Sequence, residues 1–167
     1  GHIPKDHWVH AQGGRLIGEV CHFIDTMLYL TNALPVKVFA ESISSSSEEY
    51  INRDNVLITL KFSDGSAGTV SYLAGGASSM PKEYCEVFCE GVSAVMSNFT
   101  SVEIFRKNGS VKKKFDGSKG QKEEVQATLK AMKDGTSMPI PFTELKAVSE
   151  SVFDALESLE KGETVLI

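Results

Sequence analysis

The apolar positions of this 167-residue chain follow a helical period near both ends and a strand period through the middle. From Arg15 to Asn32, Leu16, Ile17, Val20, Phe23, Ile24, Met27, Leu28 and Leu30 recur at helical spacing over a broad face, which predicts a helix packed on a core. Residues 1–14 show no period and read as an ordered leading loop; Pro35 marks the exit into strands. Val36, Val38 and Ala40 alternate with Lys37, Phe39 and Glu41, and the polar run Ser42–Asp54 reads as a loop. Val56, Ile58, Leu60 and Phe62 then share one strand face, with Leu57, Thr59 and Lys61 on the other. Ser63–Ser66 supplies a turn, and Ala67–Tyr72 returns as a paired strand. A Gly- and Ser-rich loop ends at Pro81. Tyr84–Glu90 and Val92–Met96 follow as strands split by Gly91, and Val102–Lys107 and Val111–Phe115 flank Asn108-Gly109, a hairpin signal.

Helical spacing returns over Gln121–Lys133, with Val125, Leu129 and Met132. It returns again after Thr143, read as an N-cap, with Leu145, Val148, Val152, Phe153, Leu156 and Leu159 before a stop at Gly162. Thr164–Ile167 closes as a short strand. The predicted fold is α+β: one domain over residues 1–167, an open, mainly antiparallel sheet of about six strands with helices packed on one face. No internal repeat and no linker argues for two domains.

Composition narrows the function. Hydrophobic residues are 41% and charged residues 23%, with a net charge of −5, which suits a globular domain and disfavours nucleic-acid binding. The densest basic cluster, Lys112, Lys113 and Lys114, reads as a solvated strand end. No stretch approaches the ~20 apolar residues of a membrane span, and no signal peptide opens the chain. Cys21, Cys85 and Cys89 are odd in number and lack a disulfide framework. Cys85 and Cys89 read as small core residues on one strand face with Val87, and a reducing, cytoplasmic setting fits.

All four histidines, His2, His7, His10 and His22, lie in the first 22 residues, beside Lys5, Asp6, Trp8, Arg15, Glu19 and Asp25. A metal site would need three or four ligands with second-shell support, and no recognised ligand spacing is present; the expectation is no metal. Glu19, His22 and Asp25 are successive i, i+3 neighbours on the predicted helix. An imidazole between carboxylates suits proton transfer from a substrate hydroxyl; the alternative is a surface or capping histidine bonded to its own neighbours. No G-x-G-x-x-G follows a strand, since Gly13-Gly14 and Gly75-Gly76 are pairs only, so the chain by itself is expected to bind no nicotinamide cofactor.

Gly13 to Asp25, GGRLIGEVCHFID, resembles the Gly-rich lead-in and first helix of the C-terminal domain in the glucose–fructose oxidoreductase, inositol dehydrogenase and MocA family. FSDGSAGTVSY is similar to that family's central hairpin, KEYCEVFCEG to its next strand, and FTELKAVSESVFDALESLEKGETV to its closing helix and strand. The resemblance thus covers essentially the whole chain. The segment GHIPKDHWVH resembles a subgroup in which this domain ends a longer chain, sometimes fused to a zinc-type alcohol dehydrogenase module.

The resemblance implies a two-domain enzyme whose C-terminal domain has the glyceraldehyde-3-phosphate dehydrogenase-like fold. A Rossmann domain, absent from this chain, would carry NAD or NADP and a catalytic lysine. This domain would meet a sugar, nucleotide sugar or cyclic polyol and supply orientation and proton handling. His22 matches the family's catalytic histidine. The family often has an Asp four residues earlier; this chain has Gly18 there and Glu19 one position on, a rotation of about 100° around a helix. Lys82 matches a substrate contact, and Lys5, Trp8, His10 and Arg15 are further substrate candidates, Trp8 as a stacking surface or as packing for the leading loop. Two other readings stay open: a non-catalytic sugar-binding or assembly module of the same fold, and a metal-dependent hydrolase built on the histidines. The mixed second faces of Asn55–Phe62 and Tyr84–Glu90 predict a homodimer or higher assembly through the sheet, as is common for domains of this family.

Overall fold

A computed structural model describes residues 3–11, 13–44 and 51–167 of the chain. His2 and part of the polar loop expected over residues 42–54 lie outside these residues. The helices are α1 (Trp8–Ala11), α2 (Gly14–Glu19), α3 (Cys21–Thr31), α4 (Gln121–Asp134) and α5 (Phe142–Lys161). The strands are β1 (Pro35–Ser42), β2 (Asn55–Phe62), β3 (Ala67–Leu73), β4 (Tyr84–Cys89), β5 (Val92–Ser97), β6 (Ser101–Arg106), β7 (Gly109–Lys114) and β8 (Val165–Leu166). By contacts the chain divides into residues 1–76 with 140–167, and residues 77–139.

In the first unit the helix expected over residues 15–32 is two helices meeting at Val20. The Val20 carbonyl accepts both Phe23 N–H (3.0 Å) and Ile24 N–H (3.2 Å), so the chain tightens there. Gly18, a poor helix former, lies just before the break. Val20 keeps right-handed helical dihedrals, φ −67° and ψ −25°, so the faces of α2 and α3 continue one into the other. Upstream, Gly13 and Gly14 take φ of 91° and 76°, and a Cβ on Gly13 would stand 2.4 Å from Ile17 Cδ1, so only glycine turns the chain into α2 here. The leading segment holds the single helical turn α1 where a loop was expected. His7 Nδ1 accepts Val9 N–H at 3.3 Å, which satisfies one of the turn's free donors.

Four antiparallel strands form the sheet of this unit in the order β3-β2-β1-β8. Val56, Ile58, Leu60 and Phe62 face the helices, buried, and Val38 and Ala40 join them from β1. Leu16, Val20, Ile24 and Leu28 of α2 and α3, and Ala147, Val148, Val152 and Ala155 of α5, complete one cluster. Each fully buried branched side chain contributes about 1.5–3 kcal/mol, which makes this layer the stabilising centre of the unit. Val36 was expected beside Val38 but lies partly exposed, because the β1–β2 register shifts between Pro35 and Lys37. The opposite face carries Lys37, Phe39 and Glu41, then Leu57, Thr59 and Lys61, then Thr69, Ser71 and Leu73; Phe39 pairs with Thr59, and Thr59 with Thr69.

The helix α5 begins at Phe142 with Pro141 in the N-cap place and no side-chain cap, so Thr143 lies inside the first turn rather than capping it. It ends at Gly162, φ 68°, as expected.

The second unit is an antiparallel meander, β4-β5-β6-β7, with α4. Arg106 pairs with Gly109, which closes the hairpin through Asn108. Cys85 is half-buried and Cys89 exposed, so the second of these is not a core residue.

The class is therefore α+β with open antiparallel sheets, and in the first unit the helices cover one sheet face. Among the described residues the strands number eight in two sheets of four, where about six in one sheet were expected. No helix among the described residues is long and apolar enough to cross a membrane.

Ser158 ties three elements of the first unit together. It is fully buried, its Oγ accepts Ala40 N–H of β1 at 2.9 Å, and its hydroxyl donates to the Glu163 carbonyl at 2.6 Å, just before β8. The substitution Ser158→Ala strands the Ala40 N–H inside the protein. It is expected to lower unfolding stability by about 1–3 kcal/mol, read as a fall in urea midpoint at unchanged slope.

Candidate functional site

Asp54 ends a 3-10 turn, Asn52–Asp54, immediately before β2, and its side chain is enclosed. Two residues of the leading region converge on it. His10 of α1 places Nδ1 4.0 Å from Asp54 Oδ1, and Arg15 of α2 places Nε 3.8 Å from Asp54 Oδ2. The three side chains are only 7–10% exposed. Both separations exceed hydrogen-bond length; the guanidinium of Arg15 supplies opposite charge beside the carboxylate, and the imidazole of His10 adds to it when protonated. Among the described residues, Asp54 Oδ1 and His10 Nε2 are enclosed without a hydrogen bond. A buried carboxylate with a neighbouring guanidinium is strongly destabilising when its partner is removed, because the remaining charge is left uncompensated.

Tyr72 of β3 extends the cluster. Its hydroxyl accepts a hydrogen bond from Arg15 and lies in the fields of Glu19 and Asp54. Its ring meets Phe23 of α3 edge-on, with centroids 6.2 Å apart at 67°. Burial pushes the Tyr72 phenol above its ordinary range; Arg15 opposes that shift, while Glu19 and Asp54 add to it. Arg15, Glu19 and His22 stand at i, i+4 and i+7, which puts them on one face of the nearly continuous α2–α3 helix, buried at its start and exposed from Glu19 onward.

The other residues singled out from the sequence take separate places. The side chain of His22 is exposed on α3, with its carbonyl accepting the Thr26 hydroxyl at 2.8 Å. Among the described residues, no hydrogen bond or ion pair joins it to Glu19 or Asp25. Glu19 is exposed and acts electrostatically on Tyr72 and Cys21 instead. Trp8 is 64% exposed, its ring centroid 5.4 Å from that of His7. Lys5 is exposed in the turn before α1. Lys82 is exposed in the loop before β4 and belongs to the second unit. The structure thus brings His10 and Arg15 together, inside, rather than presenting them outward. It adds Asp54 and Tyr72, which the sequence did not single out. A signal for Tyr72 was present: it shares the strand parity of buried Val70, facing the helices.

Among the described residues no group of three His, Cys, Asp or Glu is placed to hold a metal. The nicotinamide cofactor implied by the resemblance needs a glycine-rich turn between a strand and a long helix to hold its pyrophosphate. Here the Gly13-Gly14 turn follows helix α1 and opens a six-residue helix, and all pairings in both sheets are antiparallel; the residues present do not fit that cradle.

Residues 2–95 match the family model described as the GFO/IDH/MocA C-terminal domain. A comparison with curated proteins finds no match. Among solved structures, an oxidoreductase from Agrobacterium radiobacter in complex with NAD+, L-tartaric acid and magnesium superposes with a TM-score of 0.72 at 15% identity, over 89% of this chain and 47% of its own. UDP-N-acetylglucosamine 3-dehydrogenase from Acidithiobacillus ferrooxidans gives 0.69 at 14%, over 85% and 46%. A myo-inositol dehydrogenase from Corynebacterium glutamicum gives 0.63 at 18%, over 100% and 53%. At these identities the likeness is one of fold. The chain spans about half the length of the structures it matches.

The position of Tyr72 makes an alkaline signature. A phenol whose folded-state pKa lies above its unfolded value of about 10 contributes stability that is present below that pH and lost as pH rises through the folded value. The melting temperature is expected to fall as pH rises above about 10, and to fall less in Tyr72→Phe. Absorbance near the tyrosinate band is expected to lose one late-titrating component in that variant.

Proposed function

Because this chain belongs to the GFO/IDH/MocA C-terminal domain family, we propose that it is the substrate-facing part of a nicotinamide-dependent oxidoreductase. Its substrate is a sugar, nucleotide sugar or cyclic polyol. The observation that carries the reading is the family match over residues 2–95, seated on a fold shared with dehydrogenases about twice as long. Two of those dehydrogenases are named for a nucleotide sugar and for myo-inositol, which supports the substrate class. The cofactor, NAD or NADP, is held by a nucleotide-binding domain of the Rossmann type working beside this chain, and it supplies the hydride chemistry.

This chain's own residues orient the substrate and handle its hydroxyl proton. His22 presents an exposed imidazole on α3 and is the proton-transfer group. Glu19, one turn earlier on the same face, is the nearest acid along the helix and a second candidate for handling the proton. Trp8 offers an exposed apolar ring for a sugar face, and Lys5 is an exposed cation suited to hydroxyl or phosphate groups; Lys82, in the second unit, is an exposed cation of the same kind considered by itself.

The test is turnover of the whole oxidoreductase with a panel of nucleotide sugars and polyols. His22→Ala is expected to lower kcat by about 10²–10⁴-fold with the melting temperature kept. Unchanged turnover would instead favour a non-catalytic sugar-binding or assembly module, a reading that Gly18, at the position where an acid was expected, keeps specific.

We also propose that a second copy packs on the open face of the β3-β2-β1-β8 sheet, where Phe39, Leu57 and Leu73 interrupt an otherwise polar surface. Light scattering at micromolar concentration is expected to give a dimer mass that Leu57→Lys and Phe39→Lys reduce to the monomer. A clean monomer for the unmodified chain would remove this assembly.

A further inference from the structure

The carboxylate of Asp54 is buried just before β2, yet among the described residues the two ionisable groups that approach it come from the segment that leads into the fold: His10 of α1 and Arg15 of α2. Those helices are four and six residues long, well below the length at which a helix holds by itself. No residue of α1 is fully buried, so little hydrophobic burial fixes its place. The side chain it sends inward is His10, onto Asp54. The side chains that α2 buries are Arg15 and Leu16, and Arg15 reaches the other oxygen of the same carboxylate. One carboxylate therefore meets two limbs of the chain, one oxygen to each. Trp8 stands two residues before His10 on the first limb; Glu19 and His22 stand four and seven residues after Arg15 on the second.

We propose that Asp54 is a positioning residue, which through His10 and Arg15 sets the exposed Trp8 ring in register with the Glu19–His22 face. The role given to that register rests on the substrate reading above; the anchoring itself rests on the geometry alone. Apolar packing can hold α3 against the sheet, since Ile24 and Leu28 are buried there. It does not fix the rotation of α1 about its own short axis, whereas a charge contact to a rigid strand end does. Tyr72 supports the second limb, since its hydroxyl interacts with Arg15 beside the Asp54 carboxylate.

The chain contains a single tryptophan, and it is Trp8, so its fluorescence reads the first limb without a label. Asp54→Asn keeps the size of the side chain and removes its charge. In the chain as it stands, the fast-relaxing fraction of the Trp8 anisotropy decay is expected to rise about twofold in this variant, while far-UV melting stays cooperative. His10→Gln removes only the first limb from the periphery of the cluster. It is expected to give the same rise even if Asp54→Asn proves too unstable to measure. Trp8 anisotropy unchanged in His10→Gln, or in a folded Asp54→Asn, overturns the anchoring.

In the whole oxidoreductase, Asp54→Asn is expected to lower kcat/KM by about 10²-fold, although Asp54 touches no substrate. Trp8→Ala and His22→Ala separate the two claims. If both leave turnover at the unmodified level while anisotropy still responds to His10→Gln, the substrate reading fails and the anchoring stands. If both impair turnover while anisotropy is indifferent, the anchoring fails and the substrate reading stands.

Discussion

A sheet with one apolar face has to be covered, and in the first unit that requirement organises the rest. Val56, Ile58, Leu60 and Phe62 alternate along β2 and all point the same way. Only helices with a matching apolar stripe can take that surface out of water, and α3 and α5 provide it with Ile24, Leu28, Val148 and Val152. Once α3 lies with those residues down, its opposite face is turned outward. His22 is exposed for this reason: it stands two residues from Ile24 along a helix whose inward direction the sheet has already chosen. The candidate site is thus a consequence of core packing before it is a matter of chemistry.

Against that apolar layer the cluster of Asp54, His10, Arg15 and Tyr72 is costly. Burying a carboxylate is unfavourable by several kcal/mol unless opposite charge and hydrogen bonds offset it, and the Arg15 guanidinium, 3.8 Å from Asp54, brings opposite charge to it. A leucine at position 54 would pack at less cost in isolation. It would also leave the four-residue α1 without the inward polar contact that orients it. Stability alone therefore does not account for the arrangement; the proposed register between the exposed ring and the exposed imidazole would.

Much of this was legible in the residues. Alternation located β2 and its two faces because the strand period is set by backbone geometry and one face is wholly buried. Helical spacing located α3, α4 and α5, and Gly162 located the end of α5, where a left-handed residue is needed. Three features were not legible, each for a physical reason. The kink at Val20 follows from a local competition between two hydrogen-bonding patterns at one carbonyl, which apolar spacing does not register. The exposure of Val36 follows from a register shift between strands, a property of the pair and not of either strand. The partners of His10 and Arg15 lie about forty residues away along the chain, across a polar run without period, so Asp54 read as one more loop acid.

The separation of Glu19 from His22 sharpens what the chain can contribute. A carboxylate bonded to the imidazole would hold its tautomer directly, as in a relay. Here Glu19 sits on the same face one turn away and its charge acts on the Tyr72 hydroxyl, on which Arg15 also acts, so it belongs electrostatically to the buried cluster. Moving the acid from position 18 to position 19 rotates it about 100° around the helix, away from a place beside His22 along the axis and toward the side where Arg15 enters. Asp54, Arg15, Tyr72 and Glu19 then form one electrostatic unit, and His22 stands on the exposed continuation of the same helix face. The orientation of that imidazole is set from beneath, by the helix and its packing on the sheet, and not by a carboxylate in contact with the ring.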